Sequence, residues 1–444
     1  MARVSGSSRL LGAINESAAL AHLLDSGPLT RADLRALIGL SKPSTSEVLR
    51  RLQDAGLALT VGRTQSGGPG PTAEIYAANP EAGYAAAVSV RKASTVAAAV
   101  CDLTGAPRGR IEIAVDFAAT DPVAAVTGAV EEVCRRAGLR VDQLDHVQIA
   151  IPGSHDERTD VVRHIHVPGW ERPGLLGEIR RGYRASHVDN DVNLAAVAER
   201  HRGVASADPA AGFAMLWLGE GVGLAIDLGG TLLRGARQGA GEIGYMPVGL
   251  PGAARRPDFE ELVGGPAVLG LAAEYGFVAG TAHEVVGLAV AGILGAAGGE
   301  QGGGPGGAGV AGAADGAGVA GAVGAELRGA PARAGSVALG GDTDSAAGRG
   351  RAFIGVLAER IAVGLAAVVA VLDPPLVVLA GDVSQAGADP LRAAVEAALG
   401  ELGELRTPIA VTGVDDDAVL FGALEASLAA VREALFARLG RPVF

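Results

Sequence analysis

The sequence predicts a winged helix-turn-helix domain followed by an α/β domain, and three observations lead to this prediction. First, residues 18–77 read as helix, helix, turn, helix and hairpin, which is the order of a winged helix-turn-helix. Second, from Tyr84 onwards short β-branched and Ala-rich strands alternate with helical segments, which is the pattern of an α/β fold. Third, 444 residues are enough for two to four domains of about 100 to 200 residues each.

The N-terminal helices carry clear start signals. Thr30 stands three residues before an acidic side chain, which predicts a capped second helix. Ser41 is placed to cap a third helix, and Pro43 lies in the first turn, where its missing N–H costs nothing. Two extended segments at 57–61 and 73–77 flank a polar stretch rich in Gly and Pro, which predicts the hairpin of a wing.

The third helix is the candidate DNA recognition helix. Residues 1–75 carry eight basic and six acidic side chains, a local charge of 8 − 6 = +2, whereas the whole chain carries −12. This contrast favours local DNA binding over general polyanion binding, although a protein-interaction module with solvated charges is the alternative. The candidate contacts are Ser41, Lys42, Ser44, Thr45 and Ser46 for base edges, Arg50 and Arg51 for phosphates, and Arg63 in the wing.

Composition limits the class of protein. Cys101 and Cys134 are the only cysteines and lie far apart, so the sequence supports neither a disulfide framework nor a cysteine-rich zinc site. The N-terminus has no long apolar stretch, and the most apolar run, 361–372, is twelve residues long and ends at Asp373 and two prolines. We therefore expect a cytoplasmic protein without a membrane partner.

Polar side chains gather at a strand-to-helix turn in the α/β region. Asn190 and Asp191 follow a short strand and precede a helix, which is the usual crevice position for ligands in α/β sheets. Simple helix capping is the alternative for both residues. Glu242 on a Gly-rich loop and Glu260 further along add carboxylates, and several carboxylates with an amide suit a neutral polyhydroxy ligand.

One low-complexity segment interrupts the α/β pattern. Gly and Ala dominate residues 296–349, and such a segment cannot bury enough side chain to offset its ordering entropy. We expect a disordered insertion there. Collagen is unsupported because the strict three-residue period is missing.

These motifs together resemble the ROK family of sugar kinases and sugar-responsive repressors. The matching segments are IPGS at 151–154, VPGW at 167–170, DNDVNLAAVAE at 189–199, LGEGVG at 218–223, LLRGARQGAGEIG at 232–244 and VLDPPLVVLAGDVS at 371–384. The resemblance implies a two-lobed actin/hexokinase-like (ribonuclease H-like) fold with sugar in the cleft between the lobes. It also implies that Asn190, Asp191, Glu242 and Glu260 are sugar-contacting positions, and that Asp191 corresponds to the catalytic base of the kinases.

The resemblance sets the expected domain boundaries. Residues 1–80 form the winged helix-turn-helix domain, and residues 85–187 form the first lobe, completed by a C-terminal helix at 418–440. Residues 188–417 form the second lobe and include the Gly/Ala-rich insertion.

Three departures from the kinases concern nucleotide binding. The strand that leads to Asp-x-Gly-Gly-Thr in family kinases continues here into residues 89–94, Ser-Val-Arg-Lys-Ala-Ser. Glu220 replaces the Thr of Leu-Gly-Thr-Gly, and like charges 4 Å apart repel by roughly 4 kcal/mol at an effective dielectric constant of about 20. Ala380 and Asp382 replace glycines of the second nucleotide loop. We therefore expect no ATP and no other cofactor.

The Asp-Leu-Gly-Gly-Thr sequence at 227–231 spells the missing phosphate motif in the wrong place. It follows the Asp191 segment instead of preceding it. We interpret it as a hairpin turn.

The family zinc site also departs from the pattern. Tyr245 takes the position of the His that follows Gly-Glu-Ile-Gly in many relatives, and no Cys lies between Pro247 and Glu260. We expect no metal, because soft thiolate ligands are missing. Tyr245 either contacts the ligand, by stacking or hydrogen bonding, or fills space.

Three functions stay open on the sequence. The leading hypothesis is a DNA-binding transcription regulator, a repressor, controlled by a sugar or sugar derivative, in which Asp191 is a vestigial base and no catalysis remains. An ATP-dependent sugar kinase with a DNA-binding head would instead bind nucleotide, and a ligand-independent regulator with a degenerate pocket would show no sugar-dependent release from DNA. Because helix-turn-helix proteins usually read two half-sites, a homodimer or higher oligomer on double-stranded DNA is expected.

Overall fold

The computed structural model describes residues 4–64, 72–91, 94–156, 159–163, 167–248, 257–299, 345–404, 406–414 and 417–439. Three units follow one another along the chain. A small N-terminal domain precedes two α/β lobes, and each lobe has its own sheet.

The N-terminal domain is a winged helix-turn-helix. Its elements are α1 (Val4–Asp25), β1 (Leu29–Thr30), α2 (Arg31–Ile38), α3 (Lys42–Asp54), β2 (Ala58–Arg63) and β3 (Glu74–Ala78). The three strands pair antiparallel in the order β1-β3-β2. The predicted caps are confirmed, because Thr30 and Asp33 form a reciprocal capping box and the Ser41 hydroxyl accepts the Ser44 N–H. The tip of the wing, 65–71, lies outside the described residues.

The first lobe is a five-stranded sheet between helices. Its strands are β4 (Tyr84–Arg91), β5 (Thr95–Asp102), β6 (Pro107–Ala114), β7 (His146–Ile151) and, after a hairpin of β8 (Ser154–Asp156) and β9 (Val161–Arg163), β10 (Ser186–Asn190). The order is β10-β7-β4-β5-β6, with β7 parallel to β4 and β10. The helices of this part are α4 (Pro122–Ala137) and α5 (Leu175–Arg180).

The second lobe follows from the end of β10. Its elements are α6 (Asp191–Arg202), β11 (Phe213–Leu218), β12 (Val222–Asp227), α7 (Phe259–Val263), α8 (Gly265–Glu274), α9 (Ala282–Gly299), α10 (Ala346–Leu372), β13 (Val377–Ala380), α11 (Asp382–Glu401) and β14 (Ile409–Val411). The sheet order is β12-β11-β13-β14, and only the β11–β12 pair is antiparallel. By length and hydropathy α10 could span a membrane. In this fold it is the central core helix, with Phe353, Ile361 and Leu365 fully buried.

The chain then returns to the first sheet through α12 (Ala418–Leu439). Alternate residues of a strand point to opposite faces, so β4 contacts different helices with its two sets of side chains. Ala86 and Val88 pack in the cluster that includes α4, whereas Ala87 packs with Leu420 and Ala423 of α12. The C-terminal helix thus packs on the sheet of the first lobe.

Two expected boundaries need correction. The first sheet includes β10 up to Asn190, so the first lobe extends beyond residue 187, because these residues pair in parallel with β7. The ends of the expected insertion are helical, since α9 continues to Gly299 and α10 begins at Ala346 with Ser345 as its cap. Residues 300–344 lie outside the described residues.

Candidate ligand cleft and DNA-binding head

A cavity of about 560 Å³ lies where the two lobes meet. Its walls come from the end of β4, the β10–α6 turn, the β11–β12 turn, the loop after β12 and the start of α11. The five residues that the sequence predicts as ligand contacts all lie on the wall of this cavity: Asn190, Asp191, Glu242, Tyr245 and Glu260. They come from three separate segments of the chain, so the fold brings together what the sequence holds up to 70 positions apart.

Asn190 serves mainly as the cap of α6. Its Oδ1 accepts the N–H groups of Val192 at 2.9 Å and Asn193 at 3.1 Å. Its Nδ2 donates to the carbonyl oxygen of Gly153 at 3.2 Å. The capping alternative is therefore realised for Asn190, although the residue also lines the cavity. Asp191 occupies the first turn of α6, where the positive end of the helix dipole stabilises a carboxylate.

A Gly-rich loop places Glu242 in the cleft. Gly241 has φ 92°, and a Cβ built there would overlap the carbonyl oxygen of Leu224 and lie 3.0 Å from the carbonyl carbon. Only glycine fits this close approach. The next residue, Glu242, is therefore held beside β12, at the edge of the cavity.

Tyr245 lies between carboxylates at the rim of the cavity. Its ring is 44% exposed, so it does not fill core space. Partial burial raises the pKa of its hydroxyl, and the nearby carboxylates of Glu242, Glu260 and Asp258 raise it further. The hydroxyl stays protonated at neutral pH, a form that can both donate and accept hydrogen bonds.

The segments that replace nucleotide loops also reach the cavity. Ser89 and Arg91 line it at the end of β4, while the adjacent residues 92–93 lie outside the described residues. Glu220, which is exposed, and Asp382 line it from the β11–β12 turn and the start of α11. Both carboxylates therefore lie on the cleft wall.

The Asp-Leu-Gly-Gly-Thr segment forms a hairpin turn, which confirms its interpretation from the sequence. The Leu228 N–H donates to the Thr231 carbonyl oxygen at 2.9 Å, and Asp227 pairs with Leu232. Gly229 and Gly230 have φ of 62° and 97°, the positive values that a tight hairpin turn requires. None of residues 227–231 lines the cavity.

On the DNA-binding head, most base-contact candidates are accessible. Ser41, Lys42 and Ser44 are exposed at the start of α3, and Ser46 is half-buried. The prediction for Thr45 is wrong, because this side chain is 1% exposed and its hydroxyl donates to the Ser41 carbonyl oxygen at 3.0 Å. Thr45 lies on the buried side of α3 with Val48, Leu49 and Leu52, at helical spacing.

The arginine candidates are exposed but paired. Arg50 bonds to Glu47 at 2.7 Å and to Asp54, while Arg51 bonds to Glu47 at 2.8 Å and to Glu16 at 3.0 Å. Arg63, at the end of β2, lies 3.8 Å from a carboxylate oxygen of Glu74. Exposed ion pairs are worth about 1 kcal/mol or less, so exchange of a carboxylate for a DNA phosphate would cost little.

Sequence reasoning missed part of the cleft wall. Trp217 of β11, Arg110 of β6 and Asp417 before α12 all line the cavity. Trp217 directly precedes the LGEGVG motif, so its place on the wall could have been read from the strand pattern. Arg110 and Asp417 stand 307 positions apart and follow no motif, so only the fold brings them together.

The remaining candidates for chemistry are metal ligands and thiols. Within the described residues, no group of three or more His, Cys, Asp or Glu side chains is arranged to hold a metal ion. Much of the segment where relatives carry cysteines, 249–256, lies outside the described residues. Cys101 and Cys134 are buried and unpaired with each other, and burial raises their pKa values to about 12 and about 11.

Comparison with known proteins places the chain in a family. The ROK family profile matches residues 93–429, and the MarR family profile matches residues 12–63. The xylose repressors of Bacillus spizizenii and Bacillus subtilis are 23% and 22% identical over 254 and 255 residues, 54% of this chain. These matches span 62% of each repressor, less than two-thirds of its length. A glucokinase of Halalkalibacterium halodurans is 32% identical over 27% of this chain and 37% of its own.

Solved structures agree with the two-part architecture. A ROK family transcriptional regulator, described as a homolog of the E. coli MLC protein, has a TM-score of 0.65 at 16% identity and covers 97% of this chain and 99% of its own. The ROK hexokinase of Thermus thermophilus has a TM-score of 0.55 at 21% identity and covers 79% of this chain and 99% of its own. At these identities the likeness establishes the fold alone. Because its profile covers most of the chain, this protein belongs to the ROK family, with a MarR-type winged helix domain at its N-terminus.

Proposed function

We propose that this protein is a DNA-binding transcription repressor whose affinity for its operator is controlled by a sugar in the interlobe cleft, and that it does not phosphorylate that sugar. The observation that carries the proposal is the course of α12. This helix begins at the cleft and ends against the DNA-binding domain.

The two ends of α12 have different partners. Ala418 and Val419 line the cavity at its start. Leu435, Phe436 and Leu439 pack against the hydrophobic core of the winged helix domain at its end. A helix of 22 residues is about 33 Å long, so α12 spans the first lobe from cleft to head.

The ligand-binding turn is in contact with the same helix. A Cβ on Gly422 of α12 would overlap the carbonyl oxygen of Leu194 in α6, so the two backbones touch directly. Helix α6 begins at Asp191, on the cleft wall. A ligand that moves the start of α6 therefore also displaces α12, and with it the packing surface of the head. Such coupling is reciprocal, so operator DNA must weaken the binding of any sugar that weakens DNA binding.

A sugar suits the polar groups of this cleft. Carboxylates of Asp191, Glu242 and Glu260 accept hydrogen bonds from hydroxyl groups, and the Tyr245 hydroxyl both donates and accepts. Trp217 adds an aromatic surface beside them. The names of the relatives, xylose repressor and glucokinase, point to the same ligand class.

A sugar kinase is the second candidate, because Asp191 occupies the position of the kinase base and kinases belong to the same family. Two acidic side chains of the cleft argue against this function. Glu220 and Asp382 both line the cavity, and each adds a negative charge. A repulsion of roughly 4 kcal/mol for one such contact would weaken ATP binding by about a thousandfold. We therefore assign Asp191 to sugar binding without catalysis, and neither a cofactor nor a metal is needed.

The proposed partners are double-stranded operator DNA and a second copy of the chain. One winged helix domain reads one half-site, and two half-sites one helical turn apart, about 34 to 36 Å, require two heads. A repressor acts where its DNA lies, which places the protein in the bacterial cytoplasm, associated with the nucleoid while bound.

The test combines ligand binding and DNA release in one preparation. An operator is first selected from a random DNA library with the purified full chain. Thermal unfolding is then measured with a panel of monosaccharides, disaccharides and ATP, because a ligand that binds only the folded state raises the melting temperature. We expect one sugar to stabilise the protein and to release the operator in fluorescence anisotropy, and ATP to do neither.

Two variants sharpen the test. Asp191→Ala should abolish both effects of the sugar while leaving operator affinity without sugar near that of the parent protein. Asp208→Ala removes an exposed carboxylate outside the cavity and should change neither effect. Stabilisation by ATP together with phosphate transfer to the sugar would show that the protein is a sugar kinase and would contradict the proposal. Operator binding that no sugar alters would leave only the ligand-independent regulator.

A further inference from the structure

Two arginines converge on one carboxylate at the end of the cleft nearest to α12. Arg91 of β4 and Arg110 of β6 both bond to the same oxygen of Asp417, and the Arg110 contact measures 2.9 Å. Arg91 also bonds to Glu112 at 3.1 Å. The Asp417 side chain is 10% exposed, whereas 31% of Arg91 and 56% of Arg110 is exposed. All three residues line the cavity.

Charge is strongly segregated along the cavity. Among its described lining residues, Arg91 and Arg110 are the cationic ones, and they lie together. The carboxylates on the rest of the wall are those of Asp191, Glu220, Glu242, Glu260 and Asp382. An anionic group of a ligand thus has one favourable position in this cleft, beside the arginine pair. The neutral hydroxyl groups of the same ligand suit the remaining, acidic part of the wall.

We propose that the effector is a sugar that carries one anionic group, phosphate or carboxylate, and that Arg91 and Arg110 bind this group in place of Asp417. The inference rests on the proposed function and specifies its ligand class. Asp417 then acts as an internal anion that occupies the site while the effector is absent. Planar guanidinium groups in a pair suit the multiple oxygens of a phosphate or a carboxylate.

The position of Asp417 links this exchange to the DNA-binding head. Asp417 immediately precedes α12, and its carbonyl oxygen accepts the N–H of Phe421 at 3.0 Å. Its backbone has φ 29°, a left-handed value that residues with a Cβ rarely adopt. In this conformation the Asp417 side chain pairs with both arginines. When a ligand anion replaces Asp417 at the two arginines, the backbone of Asp417 can leave this conformation. The start of α12 then moves, and the far end of α12 packs on the winged helix domain.

The experiment compares matched ligands that differ only in charge. Binding constants are measured by the change in tryptophan fluorescence, since Trp217 lines the cavity, for glucose, mannose and galactose, for their 6-phosphates, and for the corresponding 6-carboxylates (uronic acids). We expect at least one anionic member to bind about tenfold or more tightly than its neutral parent, because hydrogen bonds to charged groups are the stronger ones. The tighter of the phosphate and carboxylate series identifies the anionic group.

Three variants test the residues. Arg110→Gln should reduce the ratio of anionic to neutral affinity to below about threefold, and Asp417→Asn should increase the ratio because the internal competitor is gone. If Arg110→Gln unfolds, the opposite change in Asp417→Asn still decides the matter. Arg140→Gln removes an exposed arginine of the same lobe that pairs with Asp142 outside the cavity, and should leave the ratio unchanged.

The outcomes separate this inference from the function on which it rests. A neutral sugar that binds and releases DNA, with anionic forms equal or weaker, overturns the anion site and keeps the sugar-responsive repressor. A ratio that is insensitive to both Arg110→Gln and Asp417→Asn also overturns the site. If no member of the panel binds or releases DNA, the proposed function fails, and the anion site fails with it.

Discussion

Replacing Gly422 by alanine tests the direct contact between α12 and α6 on which the proposed coupling depends. The new Cβ would overlap the Leu194 carbonyl oxygen and lie 2.7 Å from its carbon and 3.0 Å from the Ala198 nitrogen. Carbon atoms pack at about 3.5 to 4.0 Å, so the helices must separate by roughly 1 Å. Such overpacking costs about 1–3 kcal/mol, whereas the helix propensity of alanine returns up to about 1 kcal/mol. We expect a net loss of about 1–2 kcal/mol.

Calorimetry of the full chain measures this loss. For a unit of about 150 to 250 residues, 1 kcal/mol corresponds to about 2–4 °C, so the transition that contains the first lobe should fall by about 2–8 °C. Gly355→Ala in α10 is the matched control, because no atom lies within 4 Å of its Cβ and helix propensity acts alone there. Its transition should stay unchanged or rise slightly. Equal or greater stability of Gly422→Ala relative to Gly355→Ala would refute the backbone contact and the rigid coupling built on it.

Three further predictions concern titration, thiols and DNA. Burial and the neighbouring His187 lower the pKa of His146 from 6.5 to about 4, so its neutral form stabilises the fold above pH 6.5 and this contribution is lost as pH falls towards 4. Urea unfolding at pH 5.5 should give a free energy about 1 kcal/mol below that at pH 7.5, and His146→Gln should remove this difference. Cys101 and Cys134 should react with a thiol reagent at pH 7.5 only after unfolding, because their raised pKa values and burial suppress the thiolate; rapid labelling of the native protein would contradict their placement. Lys42→Ala should weaken operator binding and leave the slope of log affinity against log salt nearly unchanged, because Lys42 is predicted to contact base edges; a slope reduced by about 1 would contradict this and assign Lys42 to a phosphate.

The local signals in the sequence were sufficient for the short-range part of this fold. The Thr30 capping box and the hairpin turn at 227–231 depend on residues within four positions of one another, and both are present. The prediction of a disordered insertion was wrong at the two ends of the segment, because an Ala-rich composition is compatible with both disorder and helix. Packing decides between them, since Val285, Val286, Ala289 and Val290 of α9 are buried against α10 and its neighbours.

The candidate site divides in the same way. The strand pattern of the sequence reveals the turns near four candidate residues, and all four line the cavity: Asn190, Asp191, Glu242 and Glu260. Thr45 was misplaced because a contiguous run of polar residues hides the helical period, which buries one of them. Arg110 and Asp417 could not be assigned from the sequence, because an isolated charged residue gains its partner only through the tertiary fold.

A sensor and a kinase place different demands on the same cleft. A kinase must hold the triphosphate and stabilise the charge that develops during transfer, whereas a sensor needs only a ligand that binds two conformations unequally. In this chain the turn at Asp191 lies on the cleft wall, and Glu220 and Asp382 line the same cavity, where a carboxylate repels any phosphate that comes close. The structural change available to such a sensor lies in α12, because that helix alone among the described elements lines the cavity at one end and packs into the winged helix core at the other. Moving a two-state equilibrium from 1:99 to 99:1 requires about 5.5 kcal/mol of preferential binding, more than a few hydroxyl contacts supply at about 1 kcal/mol each. An effector that displaces Asp417 from two arginines exchanges the ion pairs at the start of α12 for bonds to the ligand. The two states then differ in what holds the start of α12, which is the kind of difference that a repressor of this architecture needs.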